Sequence, residues 1–197
     1  MSASAEIEEI NKIRSQKGLE RILSEYEFIK KKKGLHKIGG SIGIINKENG
    51  NDKDYYHWKA CFIGPKNTPF ENGLFFIEIK LDNNYPESKP LARFRTRVYH
   101  PNVDWYSGKI CLNYIKDKWS SNNILRDAII NIFYLLQQPI FDSALNSDTS
   151  SKDGNEASDF KEKARNYRAQ YAYQSQKYNW NENYNNWTAS KFPAIFN

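Results

Sequence analysis

The chain has 197 residues and a formal net charge of +6 at pH 7, the size of one domain with short extensions. Its aromatic complement (Trp 5, Tyr 13, Phe 11) is ample for a core, and two cysteines without paired spacing exclude a disulfide framework and a zinc site, so no metal is expected. No run approaches the roughly 18 apolar residues of a membrane span, so no membrane partner is expected. A pI of about 9.1 calls for an acidic partner, of which nucleic acid is only one class. The start, Met1-Ser2-Ala3-Ser4-Ala5-Glu6, lacks the cationic and apolar regions of a signal peptide. A chain that uses a free thiol belongs in a reducing compartment, so a cytoplasmic or nuclear location is expected.

Residues 1–17 read as a mixed-charge N-terminal extension whose Ile7, Ile10 and Ile13 recur at helical spacing, extending the first helix unless Gly18 breaks it. Leu19, Ile22, Leu23, Tyr26 and Ile29 then form an apolar stripe that predicts a helix, ending in the cationic run Lys30–Lys33. Ser41–Asn46 and Tyr55–Ile63 read as strands around the polar turn Asn49–Asp52, with Cys61 an inert thiol in an apolar strand. Leu74–Leu81 alternates in its second half, with Phe75, Ile77, Ile79 and Leu81 inward and Glu78 and Lys80 outward. Leu91–Val98 reads as a fourth strand, with Phe94 inward and Arg93, Arg95 and Arg97 on a solvated face. Short links favour an antiparallel meander. A helix over Ile124–Leu136 follows, capped by Asn122 or Asn123 and stopped by Pro139. A last helix begins near Ser158 and puts Phe160, Ala164, Tyr167 and Tyr171 on one face. Residues 173–197 form an Asn- and aromatic-rich tail, with Trp180, Tyr184, Trp187, Phe192 and Phe196 expected to dock in part.

The chemistry centres on His100–Trp119. His-Pro forces an extended or turn dipeptide, Gly108 supplies a positive φ, and Cys111 follows on the loop. A thiol on a shaped loop is placed for use, and the Asn102 amide can donate to an oxyanion. His100-Pro101-Asn102, Cys111-Leu112 and Trp119 together resemble the active-site segment of ubiquitin-conjugating enzymes (E2s). The collinear landmarks His57-Trp58, Gly64-Pro65, Thr68-Pro69-Phe70, Asn72-Gly73, Tyr85-Pro86 and Leu135-Leu136 before Pro139 extend the resemblance over about Leu19 to Ala172. It implies an α+β fold with an N-terminal helix, a four-stranded antiparallel meander, the active-site loop and C-terminal helices, with the catalytic core over 18–172.

The resemblance also implies roles. Cys111 would accept ubiquitin from an activating enzyme (E1) as a glycyl thioester and pass it, with a ligase (E3), to a substrate lysine. Asn102 would stabilise the oxyanion, while His100, Pro101, Asn113, Asp142 and Ser143 line the site and His100 braces the loop. ATP is consumed by the activating enzyme, so no bound cofactor is implied. Several positions depart from the family. On the first helix, the family's lysines become Glu20 and Ser24, leaving Lys17, Arg21 and the lysine run to meet the activating enzyme. At the ligase surface (Pro86, Glu87, Ser121 and Asn122), Glu87 stands where an apolar residue is common. The family's acidic position two residues after the cysteine is Asn113. A NEDD8-type or other ubiquitin-like modifier is the alternative cargo. A thiol hydrolase using Cys111, His100 and Asn102, a basic nucleic-acid-binding module and an E2-like scaffold without catalysis are the more distant readings.

Overall fold

The computed structural model describes residues 3–14, 16–31, 35, 38–46, 53–110, 119–142 and 144–174. Its first helix, α1 (Ala3–Arg14), does not run on into the second, α2 (Gly18–Lys31). Gly18 sits at φ +56° between them, a conformation that side chains disfavour, and breaks the helix as its identity predicts. α1 instead folds back on the domain. Ile13 is buried, Arg14 Nε donates to Asn122 O (2.7 Å), and Arg126 pairs with Glu6 (3.2 Å).

α2 buries only part of the face its apolar stripe predicts: Ile22 and Ile29 are inside, but charged residues share that face in place of Leu19 and Leu23. Arg21, Ile22, Glu25, Phe28 and Ile29 point inward, while Leu19 and Leu23 remain 46% and 37% exposed. The reason is a polar network at the centre. Arg21 Nε donates to Glu25 Oε1 at 2.5 Å, and both side chains are sealed from solvent. Arg21 donates again to Ile13 O (2.9 Å) and Asn123 O (2.7 Å). Glu25 also accepts from the Tyr85 hydroxyl (2.7 Å) and from Leu125 N–H (2.6 Å). Burial raises the Glu25 pKa from its ordinary value, against the lowering by these donors.

That last bond replaces an expected cap. The helix α3 (Leu125–Gln137) has Ile124 at its N-cap with no side-chain cap bond, and Glu25 of α2 meets its first N–H instead of Asn122 or Asn123. Asn123 Oδ1 turns back to Ser120 N–H (2.8 Å).

The strands β1 (Gly40–Asn46), β2 (Lys53–Ile63), β3 (Gly73–Lys80) and β4 (Leu91–Phe94) form one antiparallel meander in that order. Trp58, Ala60, Phe62, Phe75, Ile77, Ile79 and Phe94 bury the inner face in one core with Ile129, Ile132 and Leu136 of α3. β4 is shorter than predicted. Beyond Phe94, the Thr96 hydroxyl takes the Phe76 N–H (2.9 Å) in place of a backbone partner, and the ladder ends. At the start of β3, ahead of the alternating half, Leu74 and Phe76 are buried as well. Here the helix α4 (Phe160–Tyr171) delivers a two-residue strand, β5 (Tyr173–Gln174), which pairs with Gly73 and Leu74. α4 opens at Phe160 after Asp159 rather than at Ser158, and buries Phe160 and Ala164. Cys61 is buried, as expected of an inert thiol, and burial pushes its pKa up. The Asn49–Asp52 turn, Lys32 and Lys33, and Trp180, Tyr184, Trp187, Phe192 and Phe196 of the tail lie outside the described residues.

Glu25→Gln keeps the volume but leaves the Arg21 charge buried without its carboxylate. Breaking a buried pair this way costs about 3–5 kcal/mol. The urea midpoint should fall accordingly at unchanged slope.

Candidate active site

The residues of His100–Asn102 are fully or nearly fully buried, and each is tied to a segment 35 or more positions away. His100 Nε2–H donates to Leu135 O of α3 (3.1 Å), and its Nδ1 accepts the N–H of Asn102 (3.1 Å). Both ring nitrogens are therefore in use, in the neutral Nε2–H tautomer. Phe70 lies against the ring at 5.7 Å between centroids. Burial lowers the His100 pKa to about 3, with the Leu135 carbonyl only partly offsetting it. A sealed, neutral and doubly bonded imidazole is a brace and not a general base. The thiol hydrolase reading loses its histidine on this ground.

Pro101 offers its carbonyl to two N–H groups, Leu145 (2.7 Å) and Asn146 (3.2 Å). The Asn102 amide closes on Ile140 from both ends. Nδ2–H donates to Ile140 O (2.8 Å), and Oδ1 accepts Ile140 N–H (2.9 Å). The Tyr99 hydroxyl donates to Asp148 O (2.7 Å). Four consecutive residues thus strap the loop to α3 and to the segment 140–148. Sequence reasoning missed Ile140, Leu145 and Asp148, because they act through backbone groups that any side chain would supply.

From Asn102 the chain turns back on β4. Phe94 N–H bonds Gly108 O (2.8 Å), and Ile110 N–H bonds Ala92 O (3.1 Å). Gly108 sits at φ +68°, where a Cβ would lie 2.2 Å from the Phe94 carbonyl oxygen, so no other residue fits. Ile110 and Val103 bridge each other and are buried, which fixes the chain one residue ahead of Cys111. Cys111, Asn113 and Ser143 lie outside the described residues. Asp142 is exposed on the segment that follows Ile140. Among the described residues, no group of His, Cys, Asp and Glu could hold a metal ion, and no helix is long and apolar enough to cross a membrane.

The predicted docking residues are redistributed. Arg21 is fully buried in the central network, so it offers nothing to an activating enzyme; this corrects the expectation from its place on α2. Lys17 remains exposed and pairs with Glu87 at 3.7 Å, joining the two surfaces that the resemblance assigned to different partners. Pro86 follows a cis Tyr85-Pro86 bond and is buried, with its carbonyl bonded by Trp119 Nε1 (2.8 Å). Asn122 is exposed and Ser121 half-buried beside it.

A four-stranded meander backed by helices, with a strapped His-Pro-Asn loop that leads toward Cys111 in the sequence, has the architecture of a conjugating enzyme. The chain belongs to the ubiquitin-conjugating enzyme family, whose model matches residues 29–168. It is similar to ubiquitin-conjugating enzyme E2 pex4 of Dictyostelium discoideum, 39% identical over 101 residues that cover 51% of this chain and 68% of that one. It is equally similar, at 39% over 110 residues, to ubiquitin-conjugating enzyme E2 N of Macaca fascicularis, covering 56% of this chain and 70% of the relative. Among solved structures, the E2 domain of a Toxoplasma gondii ubiquitin conjugating enzyme superposes with a TM-score of 0.64 at 26% identity, covering 78% of this chain and 98% of that domain. The protein is an E2 ubiquitin-conjugating enzyme, a transferase.

The neutral His100 links stability to pH. The folded state keeps the ring uncharged down to about pH 3, whereas the unfolded chain takes up a proton below about 6.5. Stability is therefore full above pH 6.5 and lost as pH falls through that window, by about 2 kcal/mol between pH 7 and 5 from this residue. Urea unfolding at several pH values should show that slope, and His100→Gln should flatten it.

Proposed function

We propose that Cys111 is the residue that carries the glycyl thioester of ubiquitin and releases it to a substrate lysine. The thiolate attacks the carbonyl of the activating enzyme's thioester, the activating enzyme's thiol leaves, and the new thioester forms on Cys111. A neutral lysine amine then attacks that carbonyl, Cys111 leaves as thiolate, and the amine's proton passes to solvent. The observation that carries this reading is the anchoring of the chain at His100–Asn102 and again at Gly108 and Ile110. It holds Ile110, the residue before Cys111, in place, which supports a nucleophile next to it.

Asn102 supplies the oxyanion contact in this reading. One of its two Nδ2 hydrogens is committed to Ile140 O, and the other is the donor for the tetrahedral intermediate. Asn113, Asp142 and Ser143 line the approach of the lysine, with His100 and Pro101 behind them. Lys17 and α2 meet the activating enzyme. Pro86, Glu87, Ser121 and Asn122 form the ligase surface, and the acidic Glu87 favours a dedicated ligase over those that expect an apolar residue. Ubiquitin is the modifier that the relatives' names favour over a NEDD8-type one. No cofactor is held, and the core spans about 18–172 in a reducing compartment of cytoplasm or nucleus.

Charging with activating enzyme, ATP and ubiquitin should give a band on a non-reducing gel that thiol reductant removes. Cys111→Ala should abolish it, Cys111→Ser should convert it to a reductant-resistant ester, and Cys61→Ser should leave it intact. A band that survives Cys111→Ala overturns the assignment, and charging only by a ubiquitin-like modifier overturns the cargo.

Asn102→Ala separates the two roles of that amide. Losing the Ile140 bonds should cost about 1–3 kcal/mol in urea unfolding. Losing the oxyanion contact should slow lysine discharge by a further 10²–10³, roughly, while charging at saturating activating enzyme is less affected. Discharge that falls only as far as stability does leaves Asn102 a purely structural residue.

A further inference from the structure

The outer face of the sheet carries a row of charges that the reaction above does not use. Register places Lys59 of β2 opposite Glu78 of β3, Glu78 opposite Arg93 of β4, and Arg93 opposite Lys109 of the active-site loop. Paired residues share a face, so this row sets three cations and one carboxylate side by side on it. Glu78 is drawn on from several sides at once. His57 Nε2 lies 2.6 Å away, Arg93 Nε donates to it, and Arg95 Nη1 is 4.0 Å off. Burial pushes the Glu78 carboxyl up, but these partners outweigh it and hold its pKa at about 2.

Two residues apart along the chain, Arg95 and Arg97 continue the cationic line past the end of β4. Arg97 is exposed, and its guanidinium rests over the Tyr171 ring at 5.6 Å. Both arginines line a cleft of about 140 Å³ between residues 94–98 and the loop 103–108. The one acid lining it, Asp104, is occupied by the N–H of Ser107 (2.8 Å) and by its hydroxyl. At the rim Tyr106 stands 94% exposed.

Resting on the thioester reading of Cys111, we propose that Arg93, Arg95, Arg97 and Lys109 form a docking site for an extended acidic segment of the protein being modified. The spacing is the argument for an extended segment. Arg93 lies on β4, and Arg95, one residue past its end, still bonds Phe76 O through its N–H (2.8 Å); alternate residues of such a stretch recur every 6.6 Å or so, as do alternate acidic side chains of an extended peptide. Position is the argument for the substrate. Lys109 precedes Cys111 by two residues, at most about 7 Å of chain, so a segment laid along the arginines to Lys109 ends within that span of residue 111. A substrate that presents acidic residues next to its lysine is thereby held for attack, and the site selects the lysine as well as the protein.

The test uses the full chain charged with ubiquitin and two synthetic peptides sharing one lysine. In one peptide alternating aspartates flank the lysine; in the other, asparagines take their places. The acidic peptide should be modified with a kcat/KM roughly tenfold higher, mostly through KM, and about 0.5 M salt should erase the advantage. Arg95→Gln with Arg97→Gln should also erase it while leaving discharge onto free lysine unchanged. Equal rates for the two peptides overturn the proposal, as does an advantage that survives the substitutions. Displacement of the acidic peptide by a single-stranded oligonucleotide at lower concentration overturns it in favour of nucleic acid. If free-lysine discharge falls in the double variant, the salt series on the native chain and Arg97→Gln alone decide. Failure of charging altogether counts against the thioester reading. Fluorescence anisotropy of the uncharged protein with the two peptides then decides the docking site by itself.

Discussion

The Arg21–Glu25 pair is the interaction on which the rest of the molecule depends. A sealed ion pair is expensive to desolvate and stands only if its remaining donors and acceptors are filled. Here those obligations are met by other elements, and each one met fixes another part of the chain. Arg21 takes the C-terminal end of α1 and the turn before α3, and Glu25 takes the first N–H of α3 and the Tyr85 hydroxyl. Trp119, just after the cysteine segment, then bonds the Pro86 carbonyl and packs on Tyr85 at 5.7 Å. The pair thus sets α3 relative to α2 and anchors the far end of the active-site segment.

From α3 the constraint reaches the site through polar bonds to backbone. Leu135 of that helix holds His100, and Ile140, just past its end, holds Asn102. The histidine contributes no proton transfer. It contributes a neutral ring that satisfies a buried carbonyl and N–H, at the cost of acid sensitivity. An enzyme that transfers an already activated acyl group needs little acid–base chemistry from its scaffold. Placement and a polarising donor supply what is left.

Much of this was legible in the sequence. The His-Pro-Asn and Cys-Leu stretches, the meander and the break at Gly18 follow from residue types with strong local rules. The helix stripe misled for a physical reason. Leu19 and Leu23 obey helical periodicity, yet two charged residues took the buried face, and periodicity counts only apolar side chains. Asn122 and Asn123 looked like caps because capping is a local rule, whereas Glu25 caps α3 from 100 residues away. Thr96, which ends the β4 ladder, and β5, which covers Leu74, are likewise long-range events with no local signature. At the site, the residue types singled out His100-Pro101-Asn102, but the straps that hold them run to carbonyls and amides that no sequence distinguishes.

The clamp around Gly108 has a consequence for how such a chain can diverge. The register of residues 108–110 on β4 is held by main-chain bonds and by one glycine that no other residue can replace. Between Asp104, whose carboxylate holds Ser107, and Gly108, the Tyr106 side chain alone stands clear, while Trp105 packs on Tyr99 and Tyr167. Tyr106 is exchangeable without disturbing those contacts. That tip is a cassette: selection can rewrite what the rim presents while the chain up to Ile110 stays where its backbone bonds hold it.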